Sequence, residues 1–186
     1  MKSHIVLIAC AGALVACNKS PEVNERNASV EQVAQAVGAS GAANDLVMHA
    51  GEWRVTSSMD EMNIPGMPAE AQAQMKQVMG KRQNSSFEYC LSPEEAKKPR
   101  GKFFTGKDAN NCRYDHFTMG GGKIDAVMTC QGEPSGQMVM NLNGTYSPDR
   151  YSTRVAMEMQ GGREGNMTMK MHSDAERIGE CTPKAG

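Results

Sequence analysis

Met138-Val139-Met140-Asn141-Leu142, Val155-Ala156-Met157-Glu158-Met159 and Met167-Thr168-Met169-Lys170-Met171 are three runs in which every second residue is large and apolar. A period of two marks a strand with one buried face. Ser147-Pro148-Asp149-Arg150 separates the first two runs, and its proline and aspartate favour a tight turn. Gly161, Gly162 and Gly165, around Arg163, separate the second from the third. Folding the chain back at both places sets Met138, Met159 and Met167 in one row across three strands. Met140, Met157 and Met169 form the next row, and Leu142, Val155 and Met171 the third. Two independent turns thus agree on one apolar face. Gln137, Asn141, Thr145, Glu158 and Lys170 fall on the other face, which belongs in water.

The same logic extends towards the N-terminus. Gly120-Gly121-Gly122 lies between two alternating runs and reads as a hairpin turn centred on Gly121. That centre sets Cys112 opposite Cys130, Tyr114 opposite Met128 and Thr118 opposite Ile124. Facing cysteines at this spacing are within reach of a disulfide, and Cys90 is left to pair with Cys181. Further upstream, Trp53, Val55, Ser57 and Met59 alternate as a first strand, and Ser85, Phe87, Tyr89 and Leu91 as a second. Asn63 to Pro68 is loop. Residues 68–80 begin at a proline, reach Gly80 and carry Ala71, Met75, Val78 and Met79 on one side, which predicts an amphipathic helix. Ser92-Pro93-Glu94-Glu95 opens a shorter one. The expected fold is mainly β, of the α+β kind. It is a curved antiparallel meander of about seven strands, covered by the 68–80 helix and held by two disulfides.

The N-terminal end reads as an address. Lys2 and His4 precede an apolar run from Ile5 to Ala16, too short to span a bilayer but suited to a signal peptide. Its ending, Leu14-Val15-Ala16-Cys17, resembles a bacterial lipobox, with cleavage before Cys17 and lipid on that cysteine. Residues 1–16 are then leader and 17–45 a lipidated N-terminus and flexible tether, leaving 46–186 as a single disulfide-braced β domain. Within the tether, Ser29 and Gln32 form a capping box, and Val30, Val33, Ala34 and Val37 follow helical spacing as far as Gly38. Acyl chains on Cys17 would make the membrane one partner. Asn18, rather than Asp, after the cysteine favours the outer membrane. The four remaining cysteines, an even number in an exported chain, agree with an oxidising compartment.

Several short motifs occur together: Gly51-Glu52-Trp53-Arg54-Val55-Thr56, Ile64-Pro65-Gly66-Met67-Pro68 and Tyr89-Cys90-Leu91-Ser92-Pro93-Glu94-Glu95. Asn111-Cys112, Cys130, Gly144-Thr145-Tyr146-Ser147 and Arg177-Ile178-Gly179-Glu180-Cys181 follow. In this order they resemble the domain-of-unknown-function family 3617, small exported proteins of Gram-negative bacteria, over about residues 50–181. The resemblance implies a plain exported domain and carries no activity, cofactor or catalytic residue.

Composition narrows the function. Twenty basic and 21 acidic side chains leave a net charge of −1, which provides no basic field for nucleic acid. No G-x-S-x-G or H-E-x-x-H occurs, His49, His116 and His172 are scattered, and the cysteines suit disulfides better than nucleophiles. The reading is therefore a non-catalytic envelope lipoprotein without a cofactor, a binding or accessory module for an apolar ligand or another envelope protein. The chain holds 16 methionines against 5 leucines and 5 isoleucines, so its core must be partly methionine. Met128, Met138, Met140, Met157, Met159, Met167, Met169 and Met171 are the expected core set. Thioethers also suit Cu(I), and Met59, Met62 and Met67, in and beside the loop, are the better candidates for that alternative, beside a role as oxidant sink.

Overall fold

The computed structural model describes residues 22–41, 48–83, 85–96, 111–132, 136–161 and 165–181. Cys17 and the leader lie outside them, as do Arg163 and residues 97–110. The strands are β1 Glu22–Ser29, β2 Gly51–Asn63, β3 Ser85–Leu91, β4 Cys112–Gly120, β5 Lys123–Gly132, β6 Gly136–Ser147, β7 Arg150–Gln160 and β8 Met167–Gly179. The helices are α1 Val30–Ser40, α2 Ala69–Gln83 and α3 Pro93–Ala96. One antiparallel sheet holds all eight strands in the order β1-β4-β5-β6-β7-β8-β2-β3. It is open, with β1 and β3 at its edges.

The meander from β6 to β8 has the register that its turns dictate. Met138 faces Met159, Met140 faces Met157 and Leu142 faces Val155. Met167, Met169 and Met171 continue those rows on β8. β8 then runs past residue 173 to Gly179 and pairs with the start of β2. Both disulfides form: Cys112–Cys130 with Cα atoms 4.0 Å apart, and Cys90–Cys181 at 5.4 Å.

The β4–β5 hairpin reaches its cysteine pairing by a different route from the one expected. Its turn holds two residues, Gly121 and Gly122, both at positive φ (56° and 74°), which suits the twist of the flanking strands. Thr118 therefore faces Asp125, and it is Met119 that faces Ile124. A bulge at Asp115 then adds one residue to β4 and restores the Cys112–Cys130 and Tyr114–Met128 pairs. The bulge also re-aims the strand. Tyr114, Phe117 and Met119 are all buried, with the Tyr114 and Phe117 rings edge to face at 5.3 Å, while Asp115 is exposed.

The N-terminal segment overturns part of the expected domain plan. Residues 22–40 fall in the expected tether, yet they supply an edge strand and a packed helix. β1 shows almost no alternation, since only Val23 and Ala28 are buried. Pairing with β4 holds it, and Asn27, at φ 48°, lies level with the Asp115 bulge so that Ala28 turns inward beside Tyr114. Asparagine tolerates that conformation better than most residues. The Ser29–Gln32 capping box forms in both directions, Gln32 N donating to Ser29 Oγ at 3.2 Å and Ser29 N to Gln32 Oε1 at 2.7 Å. Val30, Val33 and Val37 of α1 then pack on Val23, Ala28, Tyr114, Phe117, Met119, Ile124 and Ala126.

The helix expected to cover the sheet does not. In α2, Ala71, Met75 and Val78 face solvent, Met75 at 37% and Val78 at 62% exposure. A neighbouring stripe turns inward instead. Gln72 Nε2 donates to the carbonyls of Ile64 (3.2 Å) and Met67 (3.0 Å), Lys76 Nζ donates to Asp60 O at 3.0 Å, and Met79 packs on the sheet. Gln72 thus gives two carbonyls of the preceding loop a side-chain donor, which favours this rotation of the helix.

Candidate functional site: a methionine-lined sheet face

One row of cross-strand neighbours crosses seven strands: Ala28, Tyr114, Met128, Met140, Met157, Met169 and Met62. Five of these in succession, from β5 to β2, are methionine. At an interstrand spacing of ~4.8 Å, the five span about 19 Å. Flanking it are a row of Cys130, Met138, Met159 and Met167 and a row of Ala126, Leu142, Val155, Met171 and Met59.

The two ends of this face are closed and its middle is not. At the β1–β4 end the valines of α1 seal it. At the β2 end, Met59, Met62 and Met169 are buried, at 4%, 9% and 6% exposure. Met79, Met157, Met167 and Met171 pack around them. Among the described residues, Met138, Met140 and Met159 belong to no buried cluster and are half-buried. The expected methionine core is corrected accordingly. Of its eight members only Met169 is buried, and the other seven are half-buried, Met128 against the α1-end cluster and Met157, Met167 and Met171 against the Met59 cluster. The buried cores at the β1–β4 end and around Trp53 are instead mainly valine, alanine and aromatic rings. Trp53 donates to His49 O at 2.9 Å and stacks on Tyr151, which ties residues 48–53 to the β6–β7 turn.

Met59 and Met62 are three residues apart, and strict alternation would not put them on one face. A bulge at Asp60 does so: Met59 faces Met171, Glu61 faces Lys170 and Met62 faces Met169. The sequence reading missed Met79 and Met169 as companions of this pair. A usable signal was Asp60-Glu61, two successive charges that break an alternating strand between two methionines, just as Asp115-His116 breaks β4. Met67 does not join the cluster. It lies in the loop, its N–H bonded to Ile64 O and its carbonyl to Gln72.

The opposite face is charged and wet. Arg54 pairs with Glu88 and Glu176, Arg150 with Glu176, and Lys170 with Glu61. The Glu61 hydrogen bond raises the Lys170 pKa. His49, His116 and His172 each meet a different aspartate: Asp149, Asp125 and Asp60. Exposed pairs of this kind are screened by solvent and contribute little to stability. Among the described residues no three or more His, Cys, Asp or Glu side chains are grouped to hold a metal ion. The chemistry that the domain concentrates in one place is therefore that of thioethers.

An open, disulfide-fastened antiparallel sheet with a methionine-lined, half-buried face defines the class of domain. The chain belongs to the family described as a protein of unknown function, DUF3617, whose model matches residues 48–181. The match leaves out β1 and α1, the elements that cover one end of the methionine face. No curated protein and no solved structure matches the chain.

Proposed function

We propose that this is a non-catalytic envelope lipoprotein whose methionine trough binds an extended apolar chain, with acyl lipid the favoured class. The observation that carries the reading is the half-open middle of the face at Met138, Met140 and Met159, on a face buried at both ends. An apolar surface left open between closed ends suits a ligand. Methionine suits one of variable shape, because its unbranched thioether repacks at little cost. The lipobox-like ending at Cys17 supports export and lipid anchoring, with the outer membrane favoured and the domain in the periplasm. Two disulfides fit an oxidising compartment. Among the described residues no helix is long and apolar enough to cross a membrane.

The test is titration of the disulfide-intact domain with a fluorescent acyl-chain probe. Met140→Lys or Met159→Lys puts a charge on the floor of the trough and is expected to weaken binding at least tenfold. Asn141→Lys, on the opposite face, is expected to leave it unchanged. Equal affinity in all three proteins would end the proposal. Labelled palmitate should enter the full chain and not its Cys17→Ser variant.

A further inference from the structure

The buried end of the face differs in composition from the other two buried clusters. Among the described residues, its apolar cluster is made of methionine alone: Met59, Met62 and Met169, ringed by Met79, Met157, Met167 and Met171. Strand interiors favour β-branched and aromatic residues, and the other two clusters use valine and aromatic rings. Burying methionine also costs more side-chain entropy than burying valine or isoleucine. The bulge at Asp60 gives up a regular pairing, and its effect is to add Met62 to this cluster in place of Glu61.

We propose that Met59, Met62 and Met169 form a binding site for a soft monovalent d10 cation, Cu(I), with Met157, Met167 and Met171 as the route by which it arrives. Thioether sulfur is a soft, neutral donor and selects Cu(I) over hard cations. A doubly charged ion would need anionic or imidazole ligands to offset its desolvation, and the cluster holds thioethers only. Met62 and Met169 are direct cross-strand partners, as are Met59 and Met171. Partner Cβ atoms lie about 4.5–5.5 Å apart, so flexible thioether arms can converge on one ion between the strands. Half-buried Met157, Met167 and Met171 connect the buried three to the open trough, so an ion can pass from sulfur to sulfur. Cys90, Cys112, Cys130 and Cys181 are consumed in disulfides, which leaves methionine as the soft donor.

The experiment uses the disulfide-intact domain with its methionine methyl groups labelled with carbon-13. Silver(I), a redox-stable stand-in, is added to one equivalent, and Cu(I) affinity is measured in ascorbate against a chromophoric chelator. The expected result is saturation at one ion, with the largest methyl shifts at Met59, Met62 and Met169. Met169→Leu, which conserves volume, should weaken Cu(I) binding at least tenfold while leaving acyl-probe binding within twofold. Met138→Leu should leave Cu(I) binding unchanged. If Met169→Leu fails to fold, Met62→Leu gives the same comparison. Shifts spread evenly over all methionines, a Met138→Leu loss equal to that of Met169→Leu, or no saturable binding would overturn the site. Failure of the acyl probe alone would instead count against the trough.

Discussion

α1 and α2 sit towards opposite ends of one sheet, and the shorter helix buries three valines whereas the longer packs Met79 against the sheet. α1 has 11 residues and buries Val30, Val33 and Val37. α2 has 15 and exposes Met75 and Val78. Both sequences show apolar residues at helical spacing, so spacing alone does not predict which helix becomes a cover. The difference lies in what comes before each helix. α1 follows directly from a paired strand through a capping box, so its rotation over β4 is set by β1. α2 follows a turn whose Ile64 and Met67 carbonyls accept from Gln72, while exposed Lys76 reaches the Asp60 carbonyl of β2. One end of the face is therefore sealed by aliphatic packing. The other is held by polar contacts and a methionine cluster, and half-buried Met138, Met140 and Met159 lie between.

The largest test of this contrast is a charge in each helix. Val33→Asp would bury an unpaired carboxylate and should destabilise the domain by more than about 3 kcal/mol in urea unfolding. Val78→Asp should change it by less than about 0.5 kcal/mol. Similar losses in the two variants would mean that α2 is also a structural cover. A smaller effect is expected at the caps. Ser29→Ala removes the α1 cap and should cost about 1 kcal/mol by the same measurement. Gln72→Ala should release α2 locally, raising amide exchange at residues 69–80 more than at 30–40.

The smallest effect is a pH dependence confined to the α1 end. Burial raises the Tyr114 pKa above its ordinary value. A raised folded-state pKa means that this stabilisation is complete below about pH 10. It is lost as the pH rises from there through the folded value, because the unfolded chain gives up the proton first. Unfolding free energy should fall more steeply between pH 9.5 and 11 in the native protein than in Tyr114→Phe. Parallel slopes would show that Tyr114 ionises without a burial penalty.

Much of the sheet was legible because short-range chemistry sets it. Pro148 and Asp149 fix the β6–β7 register, and the residue-level pairing of the methionine rows follows from that turn and the glycines around Arg163. The Cys112–Cys130 pair was legible for a less secure reason. The turn is one residue tighter than its three glycines suggest, and the Asp115 bulge offsets the difference. β1 was not legible, because a strand that buries only Val23 and Ala28 leaves no periodic trace. The candidate site was half legible. Met59 and Met62 stood out in the sequence, whereas their partners Met169 and Met79 come from elements distant along the chain.

The sequence by itself determined the mainly β fold, the two cross-links and which face collects the methionines. Turn residues and side-chain alternation act over a few residues, and they are written locally. The tertiary structure alone decided which helix covers that face, that β1 completes an edge, and that most of the expected methionine core is only half-buried. Those outcomes depend on backbone groups and strand edges brought together from distant parts of the chain, where satisfying a carbonyl or an unpaired edge outweighs the apolar spacing of a single helix.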